Sequence, residues 1–397
     1  MQKNIHQTIA DCCLKHFNGL PRAKKPKENE WTVLSCIVKQ EFCNFQVVAL
    51  GTGTKCIGRT KMCAKGTILN DSHAEIICRR AFLRYLYGEM GKTTSIFNFD
   101  RNKQRHYLKP NIYFHFFTTH VPCGDAAIFE KQTVDDNFGD VIEDEQFDHL
   151  QKRLKTERGV IFRTGAKSFT ESIKCDLKCR ESDYHSIGIV RTKPGRGDPT
   201  MSVSCSDKLA KWCHLGIQGA LLMTFLEYPI YLSTFTIDQN TPFDEDALKR
   251  ALYDRLGTVS LSFPFERHIL QCGQANINFP FGKSEEKQPS PDSILWFSIG
   301  NDGFLEVAVD GKKQGTTKKN MHSVKAQLKI CKLQIFNAFI TKLDECNIRL
   351  CSDVENKNLT YIAAKNVCKG YNDNWRNLKD SFGVWTSKQS TLLDFTV

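Results

Sequence analysis

The chain has 397 residues, of which 41% are hydrophobic and 25% charged, the composition of a globular protein with a full core. That length allows one large domain or two to three ordinary ones, and no apolar run approaches the roughly 18 residues of a membrane span. The net charge of +11 favours polyanion partners, nucleic acid above all, because neutralising phosphates releases counterions.

Residues 1–30 read as a helical lead, with Ile9, Cys12, Cys13, Leu14 and Phe17 spaced for one face. The start lacks the apolar segment of a secretory signal, so an intracellular setting is expected, nucleus and cytoplasm not being distinguished. A basic, proline-bearing loop at 21–27 leads to strand-like runs at 32–39 and 45–50. The glycine turn at 51–55 is too short for a phosphate-binding P-loop. From His73 to about Tyr87 the apolar positions Ile76, Ile77, Leu83, Leu86 and Tyr87 recur at helical spacing, and Gly88 and Gly91 are expected to end that helix. Residues 111–118 are aromatic and β-prone, a buried strand running into Pro122 and Cys123.

Residues 130–185, polar and poorly periodic, read as an excursion over the surface. A short strand is expected at 200–204, a helix from Ser206, and a buried helix and strand across 215–237. A charged linker at 282–292 precedes a strand at 294–299, hairpins at Asp302-Gly303 and Asp310-Gly311, and helices over 323–342 and 359–379. No clean boundary interrupts the chain, so one elaborated α/β domain is expected.

The 17 cysteines form no Cys-x-x-Cys pair, and in an intracellular chain most read as reduced, packed thiols. Seen alone, Ser72-His73-Ala74-Glu75 reads as a capping box before an apolar run. Taken jointly, His73-x-Glu75, Pro122-Cys123 and a further cysteine have the parts of a hydrolytic zinc site. One His and two Cys leave the fourth tetrahedral position to water, and the Glu shuttles protons. Both thiolates are expected at helix N-termini, where the dipole favours the deprotonated form. A second cysteine at the usual short spacing would fall on Ala126, so the third ligand must come from elsewhere; Cys205 is the candidate.

In four blocks the chain resembles the adenosine deaminases acting on RNA, and within them the tRNA-specific adenosine deaminase 1 group. The blocks are residues 51–56 (GTGTKC), 69–80 (LNDSHAEIICRR), 122–126 (PCGDA) and 204–212 (SCSDKLAKW). The resemblance, which covers nearly the whole chain, implies a cytidine-deaminase-like three-layer α/β/α domain with a mixed sheet and a C-terminal helical extension. It implies one editase domain over 1–397, with a zinc core at about 31–237 and an extension at about 238–397 closing over an inositol phosphate site. It implies zinc on His73, Cys123 and Cys205, with Glu75 as the proton shuttle, and substrate contacts at Thr54 and Lys55. It further implies a buried inositol hexakisphosphate held by Asn70, Arg79, Arg80, Lys208, Lys211, Trp212, Lys312, Tyr361, Lys365, Tyr371, Trp385 and Lys388, with Asp71 and Lys193 as a relay to the zinc.

Three departures narrow the reading. Ala220 and Trp375 stand where the editing enzymes have a serine and a lysine, and Ala127 where they have an arginine. The loop at 191–199 lacks the glutamate that double-strand editors insert to flip a base, and only about 30 residues precede the first strand, leaving no duplex-binding module. An unstacked loop base is then the expected substrate, because its unpairing cost is least. The implied reaction is adenosine to inosine 3′ of the anticodon in alanine tRNA, with basic residues at 152–180 and 312–319 as docking candidates and no membrane or protein partner implied.

Overall fold

The computed structural model of the chain describes residues 4–129, 167–168, 186–194, 198–300, 302–320, 323–351 and 354–397. The strands that matter here are β1 (Leu34–Glu41), β2 (Asn44–Thr52), β3 (Thr54–Cys56), β4 (Asp71–His73), β5 (Ile112–Thr118), β6 (Thr234–Asp238), β7 (Gln271–Ala275), β8 (Asp292–Phe297), β9 (Phe304–Val309) and β10 (Lys312–Lys313). The helices are α1 (Ile5–Gly19), α2 (Ala74–Glu89), α3 (Cys205–Leu215), α4 (Glu245–Leu252), α5 (Lys332–Glu345), α6 (Tyr361–Asn366) and α7 (Lys369–Ser381). Eight strands form one mixed sheet in the order β7-β6-β5-β1-β2-β8-β9-β10, while β3 and β4 pair apart from it. The β5-β6-β7 edge is parallel and the remaining pairs are antiparallel.

Alternation along the strands makes this a three-layer α/β/α domain. In β1, Ile37 faces the α2 core, whereas Cys36 and Val38 face the α1 core with Ile9, Cys13 and Phe17. In β5, Phe114 and Phe116 face the α2 side and Phe117 the other. Burying both faces of a central strand requires the near-continuous apolar run that residues 112–118 supply. Helix α2 lies so close to β2 that a Cβ on Gly51 would sit 2.5 Å from the Ala74 carbonyl oxygen. Four of the eight strands lie beyond residue 238, so the C-terminal part completes the sheet as well as adding α4 to α7.

Several expected elements shift. Helix α2 runs through Gly88 to Glu89, and Gly91 follows at φ +84°. The helix expected from 323 begins only at Lys332, because the preceding backbone is claimed elsewhere: Arg80 Nε donates to the Ile330 carbonyl and Leu333 N donates to Gly66. The helix expected over 359–379 divides into α6 and α7 at Cys368, whose ψ of 63° is not helical. At 200–204 there is one bridge, Thr192 to Val203, since Ser204 caps α3 instead. The excursion at 130–185 lies outside the described residues apart from the pair Lys167–Ser168, which lies against Arg191–Thr192.

Candidate active site

Three separate elements bring the metal-ligand candidates together. His73 ends β4 and is the N-cap residue of α2, Cys123 follows β5, and Cys205 is the first residue of α3. His73 Nδ1 lies 3.9 Å from Cys123 Sγ and 3.7 Å from Cys205 Sγ, and the three donor atoms all lie within 4.8 Å of one another. Ligand bonds of about 2.05 Å to N and 2.3 Å to S at tetrahedral angles place such donors about 3.6 Å apart. The group is therefore shaped to hold a metal ion, and its His/Cys/Cys chemistry suits zinc.

Glu75 sits in the first turn of α2 and is only 4% exposed; its charge is felt by Cys205 and Lys193. The capping-box reading of Ser72 does not hold, since His73 is the N-cap residue and no side chain caps α2. Cys205 does head a helix, but Cys123 precedes only a three-residue 3-10 turn, Asp125–Ala127. Cys123 is activated by other means. The Cys205 backbone N–H donates to its sulfur at 3.3 Å. The Cys205 side chain, with Lys193 and His73, holds the Cys123 thiol well below its ordinary range against the effect of burial. Gly124 makes the approach possible: at φ +104° it carries no Cβ, which would lie 2.2 Å from Ser204 Oγ.

Each cysteine is followed two residues later by a wholly buried aspartate, and α4 with the turn after it supplies an arginine to each. Arg250 Nε meets Asp125 Oδ2 at 3.1 Å, and its Nη2 donates to the carbonyls of Asp125 and Ile128. Arg255 forms an ion pair with Asp207 at 2.8 Å, while Ser204 Oγ and the Arg191 N–H donate to the same carboxylate. Burial pushes the Asp207 carboxyl up, against the pull of Arg255. These two arginines carry no motif, and the sequence offered no signal for them.

Behind the metal-ligand group, Lys193 Nζ donates to Cys205 Sγ at 3.1 Å and to Asp71 Oδ1 at 3.0 Å. Asp71 also accepts from Ser202, from Lys208 and from the His73 N–H. Burial raises the Asp71 carboxyl, but Lys193 and Lys208 outweigh it and hold it well below the carboxylate range. Thr54 and Lys55, both half-buried, lie on β3 opposite His73 and Ser72.

Lys208 leads on to a cluster of one sign. Arg79 and Arg80 lie at the next turn of α2 and are pulled down chiefly by burial. Lys211 Nζ lies 3.4 Å from the Trp375 ring centroid and 5.5 Å from that of Tyr371; burial, Lys365 and Arg79 hold it well below its ordinary range. Burial, with Lys208 and Arg80 nearby, lowers Lys388 to about 8. Lys365 lies over Tyr361, and Trp385 packs edge-on to Trp375. Trp212 lies beneath Arg79, and the Asn70 carbonyl accepts from Ile57. Lys332, which the sequence did not single out, belongs to this cluster: burial, Lys388, Arg80 and Lys365 lower it to about 7. Lys312, half-buried, is on the edge strand β10, paired with Val309.

A family model described as an adenosine-deaminase (editase) domain matches residues 49–389. The chain is similar to tRNA-specific adenosine deaminase 1 of Drosophila melanogaster, 36% identical over 99% of this chain and 98% of that one. It is similar to the Homo sapiens protein of the same name, 32% identical over 95% and 97%. It is also 30% identical to double-stranded RNA-specific adenosine deaminase of Mus musculus, over 97% of this chain but 32% of that one. With the family's domain matched over most of its length and its metal-ligand group assembled from three distant segments, the chain belongs to the adenosine deaminase (editase) family of enzymes.

Proposed function

We propose that this chain deaminates adenosine to inosine in tRNA, at the adenosine 3′ of the anticodon in alanine tRNA, with residues 1–397 acting as one editase domain. The observation that carries the reading is the His73, Cys123 and Cys205 donor group beside buried Glu75, in a chain with near-full-length relatives named tRNA-specific adenosine deaminase 1.

Zinc is the ion of the proposal, and when bound it lowers the pKa of water toward neutrality. Glu75 takes a proton from the attacking water, and the hydroxide adds to C6 of the adenine. Glu75 returns that proton to the leaving amine, so ammonia departs and inosine remains. Burial of Glu75 keeps the transferred proton from bulk solvent. Lys193 orients Cys205 and is itself fixed by Asp71. Thr54 and Lys55, which pair with His73 and Ser72 across β3 and β4, are the contacts proposed for the target nucleotide.

Inositol hexakisphosphate is the second cofactor of the proposal. The cluster of Arg79, Arg80, Lys208, Lys211, Lys332, Lys365 and Lys388 concentrates positive charge whose burial is costly without a matching anion. Tyr361, Tyr371, Trp212 and Trp385 pack around it, and Asn70 is assigned to the same site.

The test is incubation of the purified protein with alanine tRNA transcript and with a perfect RNA duplex, followed by inosine mapping. Inosine beside the anticodon alone is the expected result. Inosine in the duplex alone would overturn the tRNA reading in favour of a double-strand editor.

A further inference from the structure

Two stretches of this chain carry cations and no acid. Residues 55–70 hold Lys55, Arg59, Lys61 and Lys65; residues 311–332 hold Lys312, Lys313, Lys318, Lys319, Lys325, Lys329 and Lys332. They are far apart in sequence and adjacent in the fold. Leu69 N donates to the Gly311 carbonyl at 2.9 Å, and Leu333 N donates to the Gly66 carbonyl at 2.9 Å. A Cβ on Gly311 would lie 2.3 Å from the Leu69 carbonyl oxygen, so the two backbones are in direct contact.

The result is one basic face. Arg59, Lys61, Lys65, Lys313, Lys318, Lys319 and Lys325, carried by these two stretches, are all exposed. Several exposed cations elsewhere are neutralised within the chain, as in Arg22–Glu28, Lys103–Glu227, Lys357–Glu355 and Arg376–Asp373. Of these exposed cations, among the described residues, only Lys313 forms a salt bridge, with the buried Glu306. Other acids border it, among them Asp198, which accepts from Thr60, Asp292, which accepts from Gln314, and Asp394, next to the Phe395 that packs on Gly66. Unneutralised lysines brought together from two segments repel one another, and a polyphosphate backbone relieves that repulsion while releasing counterions.

The face is also continuous with the site. Its first member, Lys55, pairs across β3 and β4 with Ser72, one residue from the ligand candidate His73. The Arg59 N–H donates to the Pro199 carbonyl, tying the face to the loop that carries Lys193. A nucleic acid whose base reaches the site therefore has its flanking backbone within reach of these cations.

We propose that this face docks the sugar-phosphate backbone of the tRNA stem while the loop base enters beside Thr54 and Lys55. The proposal rests on the tRNA reading above. It uses no base-specific contact, so it sets affinity and register and leaves the choice of base to the site.

The test compares two quadruple variants of the full chain with the wild type. One is Lys61→Gln, Lys65→Gln, Lys318→Gln, Lys319→Gln. The other removes four cations elsewhere: Lys15→Gln, Lys103→Gln, Lys357→Gln and Arg376→Gln. Zinc content and melting temperature establish that each is folded. Filter binding of alanine tRNA across a salt series and steady-state inosine formation are then read. Loss of four phosphate contacts on a duplex stem lowers the magnitude of the log–log salt slope by about 3.6. The first variant should show that drop, a Kd and KM raised roughly tenfold or more, and kcat unchanged at saturation. The control variant should bind as the wild type does. A first variant with wild-type slope and KM would overturn the docking face while leaving the tRNA reading intact, as would equal losses in both variants. No inosine from the wild type would bring down the tRNA reading, and this proposal with it.

Discussion

The metal-ligand candidates and the cation cluster behind them share two helices, α2 and α3, yet their charges are handled in opposite ways. Around the metal-ligand candidates three buried aspartates each meet a cation from within the chain: Asp71 with Lys193 and Lys208, Asp125 with Arg250, Asp207 with Arg255. In the cluster, burial chiefly lowers Lys332, Lys388, Lys211, Arg79 and Arg80, and neighbouring cations add to this for all but Arg80, with Asp71 at its border as the acid felt by Lys388 and Arg80. The first region can be organised by the polypeptide alone. The second gathers buried cations with few acids of the chain to match them, and an added anion is the partner proposed for it.

The comparison breaks if the clamps on the metal side are dispensable. Arg255→Met removes one partner of an ion pair whose two side chains are 2% and 0% exposed. Breaking such a pair costs about 3–5 kcal/mol. The expected outcome is a lower urea midpoint together with weaker zinc retention against a chelator, and an unchanged midpoint would remove Arg255 from the account.

The anion's contribution should be the next largest. An anion present at a hundred times its Kd stabilises the folded chain by about 2.7 kcal/mol. Adding inositol hexakisphosphate to anion-free protein should therefore raise the melting temperature, and inorganic phosphate at the same concentration should not match it.

The pH dependence sharpens this contrast. Lys332 at about 7 and Lys388 at about 8 lie below the unfolded lysine value of about 10.4, so from about pH 7 upward the unfolded chain binds more protons than the folded one. Without the anion, stability should climb from about pH 7 toward pH 10, because folding is penalised wherever these lysines must be charged. With the anion bound, the lysines stay protonated and the climb should flatten. Urea midpoints at pH 6.5 and 8.5, with and without the anion, check both slopes.

The smallest effect separates two lysines. Lys332→Gln should weaken the response to inositol hexakisphosphate, whereas Lys312→Gln, on the sheet edge, should leave it unchanged.

How much of this was legible in the sequence follows from how local each signal is. His73, Glu75, Cys123 and Cys205 are fixed by short strings whose residue types the chemistry itself dictates, and the structure brings the three ligand candidates into one group. Alternation and aromatic richness likewise mark Leu34–Glu41 and Ile112–Thr118 as strands. Lys332 was invisible because nothing in its own neighbourhood distinguishes it from the other lysines of residues 311–332; its role comes from Arg80, Lys365 and Lys388, which reach it through the tertiary fold. The late start of α5 has the same origin, since Arg80 and Gly66 take up backbone groups that periodicity would assign to a helix. Arg250 and Arg255 lay beyond any pattern, because their partners sit far upstream in Asp125 and Asp207.

The most direct test of the central claim is to measure zinc per chain and single-turnover inosine formation in parallel for the wild type, Glu75→Gln and Cys205→Ala. The account predicts one zinc in the wild type and in Glu75→Gln, with the Gln variant slowed about 10²–10⁴-fold or more, and loss of both zinc and turnover in Cys205→Ala. Near-wild-type turnover by Glu75→Gln, or full zinc occupancy in Cys205→Ala, would contradict it.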